Sequence, residues 1–129
     1  MKKLLALIAG CAIALTACQT SLDPTGAYNG DVWLYQIDKA VTTAYDTIDN
    51  FLLWEMQYRA QLATNAPQVT AAADTIRTQA PRWFAVERSA RLTYIQSRGA
   101  GTSNQLFTAA AVITTGATNA TQLRNSIKP

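Results

Sequence analysis

Over residues 31–63 the inward positions recur at alternating spacings of three and four: Leu34, Ile37, Val41, Ala44, Ile48, Phe51, Glu55, Tyr58 and Leu62, with Glu55 the one charged interruption. Such a repeat lines one face of a helix roughly 50 Å long at 1.5 Å per residue. Asp31 stands where an N-cap belongs. After Asn65, Ala66 and Pro67 the pattern repeats through Val69, Ala73, Ile76, Ala80, Trp83, Glu87, Ala90 and Tyr94. Two matching seams joined by a short turn predict an antiparallel helical hairpin. Pairing them about Asn65 sets Leu62 near Val69, Glu55 near Ile76 and Ala44 near Glu87.

Proline and glycine punctuate the rest. Pro81 falls inside the second seam, where it removes a backbone donor and crowds the preceding turn, so the segment is predicted to kink or split near residues 79–82. Gly99, Ala100 and Gly101 are predicted to end it, with Thr102 or Ser103 capping a further helix. That helix carries Leu106, Ala110, Ile113, Ala117, Ala120, Leu123 and Ile127 on one face, while Thr114, Thr115, Gly116, Thr118, Asn119 and Thr121 weaken it. No stretch alternates in the manner of a strand. The expectation is an all-α fold, a helical hairpin extended to a bundle of three to four helices over residues 31–129.

The segment before the first seam has a different order. Lys2 and Lys3 precede an apolar run over residues 4–15 and then small residues, which is the order of a signal peptide. A membrane-spanning helix needs about 20 apolar residues, more than this run supplies. Residues 19–30, QTSLDPTGAYNG, hold Pro24, Gly26, Asn29 and Gly30 and predict a tether of roughly 20 Å mean span.

Leu15, Thr16, Ala17 and Cys18 close the apolar run with a leucine, two small residues and a cysteine. In this the N-terminus resembles bacterial lipoproteins. The resemblance covers residues 1–19 and implies cleavage before Cys18, a diacylglyceryl group on its thiol, and acylation of the new amino group by a fatty acid such as palmitate. Ile8, Ala9, Gly10 and Cys11 form an overlapping match, ranked second because only about seven residues separate Lys3 from that thiol. A Cys11 to Cys18 disulfide is the third alternative. Gln19 follows the anchor where, by resemblance to enteric lipoproteins, an Asp would signal retention in the inner membrane. The expected place is the periplasmic side of an outer membrane, with the inner membrane or cell surface as alternatives.

Cleavage changes the charge reading. The whole chain has a formal charge of +3, and loss of Lys2 and Lys3 lowers it to +1, so the basicity belongs mostly to targeting. A nucleic-acid partner therefore finds no support. Histidine is absent, and the thiol left after processing is the acylated one. These facts remove His-based triads, cysteine nucleophiles, Cys and His zinc sites and the Glu-x-x-His di-iron pattern. No cofactor or metal is implied.

Five features bear on what chemistry remains. Glu55 and Glu87 occupy seam positions, each with an arginine four residues on, Arg59 and Arg91, in the order that favours an intrahelical ion pair. Catalysis by the two carboxylates on an envelope glycan is the enzymatic alternative, although the seam register sets them several turns apart. Arg77, Arg82, Arg88, Arg91 and Arg98 make the second segment basic, for lipid phosphates or for Asp38, Asp46 and Asp49 of the first helix. RGAGT at residues 98–102 lacks the spacing of a phosphate-binding loop, and LFTAAAVITTGA at residues 106–117 is too short to span a bilayer.

The last feature is FLLWEMQY at residues 51–58, apolar nearly all the way round the helix. Leu53 and Trp54, with Arg88 and Arg91, are the candidate partner surface, for self-association or for another protein. The function expected from these features is a lipid-anchored, non-catalytic binding, assembly or structural protein of the envelope. A lipoprotein of a phage or mobile element that blocks a host envelope component is a further alternative.

Overall fold

The structure is a computed structural model that describes residues 31–97 and 100–127. The expected signal peptide, Cys18, the tether, Arg98 and Gly99 lie outside the described residues. Among the described residues there are three helices and no strand: α1 Val32–Asn65, α2 Pro67–Ser97 and α3 Ala100–Ser126. None is long and apolar enough to cross a membrane. The chain divides into compact units after Lys39. Of the first unit, the described part is the start of α1; the second unit is Ala40–Pro129.

Local chemistry sets the helix ends. Asp31 Oδ1 accepts from the Leu34 amide at 2.9 Å, a side-chain cap over the first turn. At the other end of α1 the Ala66 amide donates to the Leu62 carbonyl at 2.8 Å, and the Val69 amide donates to the Ala66 carbonyl at 2.9 Å. Buried Ala66 is thus the whole connection. Pro67 opens α2 at the position where a missing amide costs least. Ser97 Oγ donates to Thr102 Oγ1 at 3.2 Å, linking the end of α2 to the start of α3.

One expectation needs correction here. Pro81 does not split the second segment, because α2 runs unbroken through it. Proline at this position removes the ladder bond to the Arg77 carbonyl and costs on the order of 3 kcal/mol. Pro81 itself is exposed, while Ile76 and Ala80 before it and Glu87 after it are buried. Burial on both sides holds the helix across the defect, so the described residues form three helices and not four. As expected, α2 ends before the glycine-rich stretch, at Ser97; the next helix starts at Ala100, two residues ahead of the expected cap at Thr102 or Ser103.

The seams supply the core, except at Tyr58, an expected inward position that is exposed. Ala44, Ile48, Phe51 and Leu62 of α1, Val69, Ala73, Ile76 and Ala80 of α2, and Ile113, Ala117 and Ala120 of α3 form one buried cluster. The threonines of α3 are accommodated by back-bonding: Thr114, Thr118 and Thr121 donate to the carbonyls of Ala111, Thr114 and Ala117. Gly116 has a packing reason. A Cβ there would sit 2.6 Å from Trp83 Cζ3, so the indole of α2 lies directly on the α3 backbone.

Candidate functional site: a charge ring around a buried glutamate beside an exposed helix face

Glu55 is fully buried in the middle of the α1 seam. A lone carboxylate there would carry a desolvation penalty of several kcal/mol, so the question is what faces it. Arg77 Nη2 of α2 donates to Glu55 Oε2 and also to the Leu52 carbonyl, the latter at 3.3 Å. Arg59, four residues on in α1, brings Nη1 to 3.4 Å from Glu55 Oε1. That second approach is coulombic, since Oε1 accepts no hydrogen bond.

Asp74 closes the ring. Its Oδ2 accepts from Arg59 Nη2 at 2.7 Å, and its Oδ1 accepts from Arg59 Nη1 and from Arg77 Nη1, both at 3.0 Å. Two acids and two arginines therefore alternate in a closed, neutral cycle. The Arg59 hydrogen bonds hold the Asp74 carboxyl below its ordinary range, and Asp74 in turn holds Arg59 above its own. Asp74 is half exposed and Arg59 nearly so. Water screens that outer pair, whereas the Glu55 carboxylate is dry.

Of the residues singled out from the sequence as intrahelical ion pairs, the ring takes in Glu55 and Arg59. The Glu55 and Arg59 approach is as expected; the shorter, hydrogen-bonded partner, Arg77, was not expected. Arg77 follows Ile76, the residue that the seam register sets opposite Glu55, so the signal lay one position away. Counting i to i+4 pairs inside each helix missed it because the bond crosses between helices. Glu87 is also buried, in α2. It lies ten residues along that helix from Arg77, roughly 15 Å of rise, beyond the roughly 5 to 9.5 Å that separate paired glycosidase carboxylates. The structure does not bring Glu55 and Glu87 together.

Leu53 and Trp54, expected as one surface, are separated. Leu53 is half exposed on the outer side of α1. Trp54 packs against the core cluster, 6.0 Å from Phe51 and 6.2 Å from Tyr58 between ring centroids, with the Arg124 guanidinium 5.6 Å above its ring. Arg88 is exposed on α2 and Arg91 half-buried. Asp46 and Asp49 enter none of the ion pairs among the described residues, so the basic residues of α2 do not pair with them.

Between α1 and α3 an open groove is lined by Thr47, Asn50, Thr121, Arg124 and Asn125 around Phe51. These groups can hydrogen-bond a polar ligand, and Arg124 is the one charge among them. Among the described residues no cluster of His, Cys, Asp and Glu is arranged to hold a metal ion.

Comparison of the chain with protein families, with characterised proteins and with solved structures returns no match.

Proposed function

We propose that this protein is a lipid-anchored helical protein of the bacterial envelope that works by binding, as an assembly, adaptor or structural component. The observation that carries the anchor is Leu15, Thr16, Ala17 and Cys18 closing an apolar run after Lys2 and Lys3. The acylated Cys18 holds the chain at the periplasmic face of the outer membrane, and residues 19–30 let the helices stand just off the lipid. Those helices are an antiparallel hairpin, α1 with α2, completed to a bundle by α3. The opposed pairs Glu55 with Arg77 and Arg59 with Asp74 support this arrangement. A binding role is supported by the placement of the buried acids: Glu55 is committed to two arginines, and Glu87 stands too far away to share a cleft with it.

Metabolic labelling of cells with an alkynyl fatty acid tests the anchor. Wild-type protein is expected to take the label and to shift to the mature mass, while Cys18→Ala stays unlabelled. Label retained by Cys18→Ala would overturn the assignment.

A further inference from the structure

We propose that the outer face formed by α1 and α2 is the interface of a two-fold homodimer, closed by Asp49 of each copy against Arg88 of the other. On α1, Tyr45, Asp49, Leu53 and Met56 follow at four, four and three residues, one stripe of a helix. On α2, Phe84, Arg88, Leu92 and Ile95 repeat that spacing. The edge-to-face contact between Tyr45 and Phe84, 5.3 Å between centroids, sets the two stripes side by side. Tyr45 is 52% exposed, Leu53 50%, Met56 62% and Leu92 58%, a concentration of apolar surface that a lone chain leaves in water.

The charges identify the occupant. Asp49 and Arg88 are exposed and enter none of the ion pairs among the described residues. Asp49 and Arg88 give this face one exposed charge of each sign, so a lipid surface of a single sign satisfies only one of them. A second copy supplies both signs. The bonds of Glu55 to Arg77 and of Arg59 to Asp74 show that α1 and α2 run in opposite directions, level where residue numbers add to about 132. By that register Asp49 is level with Trp83, five residues short of Arg88.

Side chains on a helix lean toward its N-terminus. Because the helices are opposed, Asp49 leans toward the level of Arg88 and Arg88 toward that of Asp49, which closes most of this offset. A two-fold axis parallel to the helices, lying in the interface beside Tyr45 and Phe84, sets α1 of each copy antiparallel to α2 of the other. It brings each Asp49 to the partner's Arg88 twice over, as an isologous interface requires. This pairing needs no lipid, so it stands or falls apart from the anchor.

The test uses the full chain in detergent, with protein mass read by light scattering. Wild type is expected at dimer mass. D49R and R88D, each placing like charges across both contacts, are expected at monomer mass with unchanged helicity. Mixed one to one, they are expected to regain dimer mass, because each D49R chain then meets an R88D chain with opposite charges at both contacts. The proposal is overturned by wild type at monomer mass, including wild type that instead sediments with phosphatidylglycerol vesicles. It is equally overturned by either variant alone at dimer mass, or by a mixture that remains monomeric.

Discussion

α2 makes two unlike interfaces. Toward α3 the facing residues are small, and the Cα atoms of the two helices repeatedly come within 8 Å. Buried Ala109, Ala110, Ala117 and Ala120, and the Gly116 site under Trp83, make that approach possible. Toward α1 the residues are larger, Ile48, Phe51 and Leu62 among them, and α1 stands farther from both neighbours. Into that wider interface the chain places a carboxylate and a guanidinium. The α2 and α3 contact is specified by shape, since one added methyl would collide; the α1 and α2 contact is specified by charge. A smooth apolar seam with three-four spacing can slide by one turn and still bury similar area, whereas the ring cannot slide without stranding Glu55. Charge as a device for register is the role best attested for buried polar groups.

The largest effect expected from breaking this contrast is at Arg77. Arg77→Leu removes the hydrogen-bonding partner of Glu55 and leaves a buried carboxylate with one coulombic neighbour. A loss of about 3–5 kcal/mol is expected in urea denaturation. Glu55→Leu is expected to cost less, because Arg77 is about a third exposed and keeps its bond to Asp74. The asymmetry between two partners of one bond separates a charge-specified interface from one where the pair merely adds attraction.

Next comes the interface specified by shape. In most exposed helix positions Gly→Ala stabilises by up to about 1 kcal/mol. Gly116→Ala is expected to do the opposite, by about 1–3 kcal/mol, since the new methyl meets the Trp83 ring and one of the two must shift. Gly101→Ala is the matched control, because nothing stands within 4 Å of its Cβ position. A melting temperature lowered at Gly116 and held or raised at Gly101 is the expected pair of results.

The smallest effect is the response to acid. The Asp74 carboxyl is held below its ordinary value of 3.8 by the Arg59 hydrogen bonds. A group with a lowered folded pKa stabilises the fold above its unfolded value, and that contribution fades as pH falls toward the folded one. Asp74 therefore contributes fully above about pH 4 and loses its contribution in more acid solution. Asp74→Asn is expected to make the melting temperature less sensitive to pH below about pH 4 while changing its slope little near neutrality. Because the pair is half exposed, added salt is expected to reduce the difference.

Much of this fold was legible because it rests on periodicity. The three seams named most of the buried residues, Asp31 gave the first cap, and Asn65, Ala66 and Pro67 gave the turn. Pro81 was misread because its intrinsic penalty is local, while the burial that offsets it comes from residues on both sides and from other helices. The stretch from Gly99 to Gly101 was read correctly as the place where one helix gives way to the next, but the new helix starts two residues early, since Gly101 is tolerated inside a first turn. Gly116 reads as a weakness until Trp83 is seen against it, a relation between residues 33 positions apart in the chain. Arg77 escaped because its bond to Glu55 joins two helices, where propensity and i to i+4 counting have no reach. Seam register came within one residue of it.

A double-mutant cycle at Glu55 and Arg77, followed by urea denaturation of the full chain in detergent, tests the charge-specified interface most directly. If the pair sets register at a cost in stability, Arg77→Leu alone loses about 3–5 kcal/mol, while Glu55→Leu with Arg77→Leu recovers to within about 1 kcal/mol of wild type. Losses that simply add would contradict that account, as would an Arg77→Leu variant as stable as the wild type.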